Sequence, residues 1–209
     1  VLGGANGRFR PNDNLKLKEA MWFFKRLHDL ISKDGILNKF ALFTDVPQDH
    51  FMTLPLQNLN NAGAFDQTNL GRRLNGTGNI KLQDLGLIIK GILFRLDQSG
   101  HYQQIDEIIG RYGQAHPTSR AQLAQVLAVL ANAMPHFQSD QKHLYSDVKA
   151  DSEVAGSLQI LAKAGIRLGY KNNLFAGNER VTRYEALGVI NDLIDKIDMT
   201  AAKNAQSNQ

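Results

Sequence analysis

Four stretches of the chain repeat apolar residues at the i, i+3, i+4, i+7 spacing that lays a stripe along one face of a helix. The first runs Ala20, Met21, Phe23, Phe24, Leu27, Leu30, Ile31 and the second Leu85, Ile88, Ile89, Ile92, Leu93, Leu96. The third runs Leu123, Val126, Leu127, Val129, Leu130 and the fourth Leu187, Ile190, Leu193, Ile194, Ile197. The strict alternation of a half-buried strand is almost absent, so the pattern predicts an all-α fold. Each stretch follows a marker of fixed length. Phe9 and Glu19, Leu74 and Asp84, Tyr112 and Gln122, Phe175 and Glu185 each set a large apolar residue ten positions before an acid or its amide.

A further element precedes this unit twice. Phe43-Thr44-Asp45-Val46 leads to Leu56-Gln57-Asn58-Leu59-Asn60-Asn61-Ala62-Gly63, and Tyr145-Ser146-Asp147-Val148 leads to Leu158-Gln159-Ile160-Leu161-Ala162-Lys163-Ala164-Gly165. The two copies lie 102 residues apart, and Gly7-Arg8-Phe9 recurs 103 residues on as Gly110-Arg111-Tyr112. Shared offsets across separate motifs indicate internal repetition. Each Ala-Gly reads as a helix C-terminus, because glycine enters the left-handed conformation at little cost. The block is therefore an aromatic-Thr/Ser-Asp-Val opening, a first helix ending in glycine, a loop, and an acid-marked second helix. Loops are expected at Gly4-Ala5-Asn6-Gly7 and Asn75-Gly76-Thr77-Gly78. Across 1–198 this predicts a half block at 1–32, a complete block at 43–97, a shortened one at 101–135 and a complete one at 145–198. The small polar tail at 199–209 is expected to fray.

Composition narrows the function classes. Hydrophobic residues make up 43% of the 209, the share of a packed globular protein. No apolar run reaches the 18 or so residues of a membrane helix; the densest, Leu85 to Leu96, is broken by Gly86, Lys90, Gly91 and Arg95. With no cysteine, disulfides, thiolate zinc sites and cysteine nucleophiles are excluded. A formal charge of +4 and a pI near 9.3 lean towards a polyanionic partner, although no basic run occurs. The chain opens at Val1 inside what reads as a loop motif, so a trimmed or mature product is expected, with any export signal removed.

The ordered motifs resemble the S-layer homology family. Its repeats typically show an aromatic-Ser/Thr-Asp-Val opening, a first helix ending in Gly-Ile, a glycine-rich loop with Phe-x-Pro, and a Thr-Arg-Ala-Glu motif starting the second helix. Here stand Phe43-Thr44-Asp45-Val46-Pro47, Tyr145-Ser146-Asp147-Val148, Ala164-Gly165-Ile166 before Gly169-Tyr170, and Gly4-Ala5-Asn6-Gly7-Arg8-Phe9-Arg10-Pro11-Asn12. Val181-Thr182-Arg183-Tyr184-Glu185-Ala186 and the weaker Thr118-Ser119-Arg120-Ala121-Gln122 supply the helix-start motif. The resemblance implies helical pseudo-repeats of two helices each, in a pseudo-threefold bundle whose inter-repeat grooves bind an anionic, often pyruvylated, secondary cell-wall polysaccharide. It implies a non-enzymatic anchoring module on the surface or envelope of a bacterium, without cofactor. The motif arginine, which contacts the polymer in the family, maps to Arg183 and Arg120, with Thr182, Glu185, Ser119 and Gln122 in the same motifs. Arg8, Arg111 and Lys171 are expected as neighbouring loop cations.

Departures accompany the resemblance. Lys16-Leu17-Lys18-Glu19 and Lys81-Leu82-Gln83-Asp84 put leucine in the arginine position, leaving Lys16 and Lys81 as point charges without bidentate geometry. The usual first-helix tryptophan is missing, with Phe51 in a similar place in one block. These departures keep a second reading open: a structural, self-associating or protein–protein module whose glycan grooves have eroded.

On physical grounds alone, Thr182 and Glu185 have the spacing of a capping box, and Arg183 would project at a helix N-terminus that favours an anion. Asp45 and Asp147 are expected to cap first helices or hold the loop. Trp22, Phe23 and Phe24 read as core, and His50 as a surface or helix-start residue. The stretch from Arg73 to Asp84 has the rhythm of a calcium loop but a cation at its first ligand position. The six histidines never take zinc-ligand spacing, and neither a Gly-x-Ser-x-Gly elbow nor a phosphate loop occurs. Scattered basic residues without a helix-turn-helix give no case for nucleic acid.

Overall fold

The computed structural model describes residues 42–134, 145–169 and 173–207, with residues 198–207 as backbone only. All of these lie in one compact unit, Leu42–Gln209. Arg8, Lys16, Lys171, the Phe9–Glu19 pair, Leu17 and the Trp22–Phe24 cluster lie outside the described residues.

Among the described residues the protein is all-α. Six helices occur: α1 (Thr53–Asn61), α2 (Leu82–Arg95), α3 (Tyr102–Tyr112), α4 (Arg120–Asn132), α5 (Glu153–Lys163) and α6 (Arg183–Ser207). A short 3-10 turn, Ser99–His101, leads into α3. The sequence stripes become the core: Leu85, Ile88, Ile89, Ile92 and Leu93 of α2 and Leu187, Ile190 and Leu193 of α6 are buried. Helix α4 is buried on nearly every side from Arg120 to Ala131, which makes it the central element. Helix α1 packs on α6, α3 on α2 and α4, and α5 on α4.

The two Ala-Gly sites end their helices as the pattern predicts. Gly63 at φ +80° and Gly165 at φ +72° lie in the left-handed region. The following amide then reaches back, Ala64 N–H to Leu59 O at 2.9 Å and Ile166 N–H to Leu161 O at 2.9 Å. These are the backbone bonds of a glycine-closed helix end.

What organises the helices is a set of three short segments just ahead of α2, α4 and α6. Isolated bridges pair Asn79 with Thr182, Lys81 with Pro117, and Ser119 with Arg180. Thr118 N–H donates to Ile80 O at 2.8 Å, Ile80 N–H to Val181 O at 3.1 Å, and Val181 N–H to Thr118 O at 3.0 Å, closing a ring. Two residues on, the pattern recurs: Leu82 N–H to His116 O (3.1 Å), Arg120 N–H to Glu179 O (2.8 Å), Arg183 N–H to Gly78 O (2.9 Å). It recurs once more from Gln83 to Gln114 O (3.3 Å), Ala121 to Gly177 O (2.9 Å) and Tyr184 to Gly76 O (2.9 Å). The first-turn donors of each helix, which have no partner inside the helix, are thus satisfied by a neighbouring loop.

Three expectations need correction. Arg111 is not a loop residue but lies in the last turn of α3. The tail is helical beyond Asp198 rather than irregular, since α6 continues to Ser207; Ala201, Ala202 and Ala205 supply strong helix formers there. The α6 N-terminus does not offer its amides to an anion. Gly78 O, Gly76 O and the Thr182 hydroxyl already accept from Arg183, Tyr184 and Glu185.

Candidate functional site

The two Asp-Val motifs hold loops rather than cap first helices. Asp45 accepts from Leu74 N–H at 2.8 Å and Asn75 N–H at 2.7 Å. Asp147 accepts from Phe175 N–H and Ala176 N–H, both at 2.8 Å. The N-cap of α5 is instead Ser152, whose hydroxyl accepts from Ala155 N–H at 3.2 Å. Asn75 and Ala176 both sit at positive φ, +50° and +52°. For alanine that conformation costs about 1 kcal/mol, and the paired bonds from Asp147 offset it. For Asp45 burial is the largest single effect and pushes the carboxyl up, but the Asn75 and Leu74 amides, with the Arg73 charge, together outweigh it and hold it below its ordinary value. Asp147 is lowered chiefly by the Phe175 amide, against slight burial.

The motif arginines are inequivalent. Arg120 is buried, 8% exposed, and its Nη1 donates to Phe175 O at 3.0 Å, Ala176 O at 3.3 Å and the Glu179 carboxylate at 3.3 Å. It ties the Asp147-held loop to the start of α4. Arg183 reaches the matching carbonyl, Asn75 O, only at 3.4 Å, and Asp84 at 3.9 Å. Its Nε is buried without a hydrogen-bond partner. Leu82, at the leucine-substituted position, is fully buried as core.

Both arginine-bearing helix starts carry capping boxes. Gln122 N–H donates to the Ser119 hydroxyl (3.3 Å) and Ser119 N–H to the Gln122 carbonyl (2.8 Å). Glu185 N–H donates to the Thr182 hydroxyl (3.2 Å) and Thr182 N–H to the Glu185 carboxylate (2.8 Å). Lys81 precedes α2 without a side-chain cap and is exposed. These side chains serve helix starts. Arg111 pairs with Glu153 of α5, away from the loops.

Between the start of α4 and the Asp147-held loop runs an open groove of ≈ 550 Å³. Ala121 forms one wall; Asp147, Val148, Lys149, Ser152 and Val154 form another, and Phe175 to Glu179 the third. Asp147 is occupied by loop amides and Glu179 by Arg120, whereas Lys149 is the exposed cation of the lining. Half-buried Val148 and Val154 add an apolar strip. Lys149 and Ser152 were not singled out in the sequence. Their signal was position, two and five residues after Asp147, but neither residue recurs in the first block, where Pro47 and His50 stand.

Most of the groove lining falls within a stretch that matches a known family. Residues 144–187 match the S-layer homology domain. The match spans the Asp147 motif, helix α5, the loop at 173–179 and the first turns of α6. A search of curated proteins returned no match to the chain. Among the described residues no helix is long and apolar enough to cross a membrane.

Proposed function

We propose that the chain is a non-catalytic anchoring module of the cell envelope that binds an anionic cell-wall polysaccharide. Residues 43–97, 101–135 and 145–198 would form three S-layer-homology-type blocks about a pseudo-threefold axis. The ring of reciprocal hydrogen bonds among residues 78–83, 114–121 and 177–184 supports that arrangement. The polymer site is the groove between the second and third blocks. The observation that carries this reading is an open groove built by the matched block against α4, with Lys149 as its exposed cation.

In this reading Arg120 positions the loop, and Lys149 with the rim of the loop meets the polymer. A sugar ring lies against Val148 and Val154 while a carboxylate faces Lys149. Asp45, Arg183, Thr182, Glu185, Ser119 and Gln122 shape the frame, and Arg111 and Lys81 lie apart from this groove. The test is co-sedimentation with purified bacterial cell walls, before and after chemical removal of the secondary polymer. Retention on intact walls and release by salt support the reading; equal retention on stripped walls overturns it.

A second reading is a structural or protein–protein module. It is favoured by the first block, where Leu82 has become core and Tyr184 occupies the loop face. A defined oligomer or protein complex with no retention on walls would establish it.

A further inference from the structure

The hydrogen-bond ring sets the starts of α2, α4 and α6 in equivalent positions. Ala121 and Tyr184 are equivalent, since each donates its N–H to the loop glycine of the next block, Gly177 and Gly76. Ser152 and His50 are equivalent by the 102-residue offset that also relates Asp147 to Asp45. Where Ala121 and Ser152 line an open groove, Tyr184 and His50 meet face to face. Their ring centroids are 4.9 Å apart and 29° from parallel, and Phe51 joins at 5.8 Å. The loop glycine lies against the tyrosine so closely that a methyl added at Gly76 would run into its ring. Burial, then the Asp45 charge, hold the Tyr184 phenol above its ordinary value, so the ring stays neutral.

We propose that Tyr184 closes the groove between the third and first blocks, so that the chain binds one polymer segment and keeps a second site latent beneath the tyrosine. This inference rests on the polysaccharide reading above. The latent site has its own cation. Arg183 is held only by long contacts, and its Nε lacks a partner. Opening the ring gives that guanidinium an anion to meet. The second site is weaker than the first, because Pro47 stands where Lys149 serves the open groove.

Calorimetric titration with soluble fragments of the wall polymer tests this, with circular dichroism to verify folding of each variant. Wild type should bind at one site per chain. Tyr184→Ala should add a second, weaker site, and Ala121→Tyr should abolish the first, lowering affinity at least tenfold. Should Tyr184→Ala fail to fold, Ala121→Tyr alone decides the matter. Two sites in wild type, or a folded Tyr184→Ala that still binds at one site, overturns the inference and leaves the polysaccharide reading standing; undiminished binding by folded Ala121→Tyr overturns the inference and moves the polymer out of the α4 groove as well. No binding by any folded variant, wild type included, overturns both.

Discussion

Asp147 and Arg120 approach one loop from opposite chemical sides, and the loop depends on both. The carboxylate accepts the Phe175 and Ala176 amides while the guanidinium donates to the carbonyls of the same residues. Truncating Arg120 leaves the buried Phe175 carbonyl without its donor. Arg120→Ala is therefore expected to cost about 2–3 kcal/mol in urea unfolding. Arg183→Ala should cost less, about 1 kcal/mol, since its contacts are longer and Nε already lacks a partner. Equal losses would show that the two arginines do the same work.

The aspartates also predict a pH dependence. Both titrate lower in the folded protein than when unfolded, so their contribution is complete above the unfolded value near ~4 and is lost as pH falls through the folded values. Replacing both with asparagine should lower stability at neutral pH by about 1–2 kcal/mol and flatten its loss below about pH 4. An unchanged acid limb of the stability curve would contradict the assignment. Recurrence at 102 residues marked these aspartates in the sequence, but not what their carboxylates hold. Their partners lie some thirty residues on, and only the fold brings the loop back.

At the level of elements, the capping boxes and the glycine-closed helix ends were legible because both are local chemistry. Thr182 and Glu185, or Ala164 and Gly165, carry their geometry in neighbouring residues. The same glycine signal hides a difference, however. A methyl added at Gly63 would strike the Arg95 side chain and come close to the Gly91 carbonyl, whereas at Gly165 it meets only the flexible end of Lys196. Both substitutions carry the left-handed strain of about 1 kcal/mol. Gly63→Ala should therefore lower the thermal midpoint more than Gly165→Ala, and identical shifts would sink this account of Gly63 against Gly91 and Arg95. The extension of α6 is not legible in its polar composition, which suits a frayed end as well as a helix that alanines sustain. The Gly-Arg-aromatic match of Arg111 to residues 7–9 points to a loop, whereas α3 carries its helix through Tyr112.

The whole molecule adds what neither scale contains, the closure of three segments on one another and the groove left beside the start of α4. Register in the sequence orders the motifs, but nothing local states that α1 packs on α6 or that Ile80, Thr118 and Val181 bond in a cycle. Nor was the groove cation visible, since Lys149 becomes conspicuous only once Asp147, Glu179 and Arg120 have taken up one another's charges and the loop's amides. A charge reversal there should act on binding and leave the fold alone. Lys149→Glu is exposed and is expected to weaken retention on cell walls about fivefold or more, from roughly 1 kcal/mol of lost attraction. The difference should shrink at high salt, and a variant retained like wild type at low salt would remove Lys149 from the site.

In the function proposed above, the polymer lies between the start of α4 and the Asp147-held loop. An amide NMR titration with soluble wall-polysaccharide fragments tests it most directly. Signals at Ala121, at Lys149 and Ser152, and from Ala176 to Glu179 should shift. Perturbations confined to other surfaces, or none at saturating polymer, would contradict it.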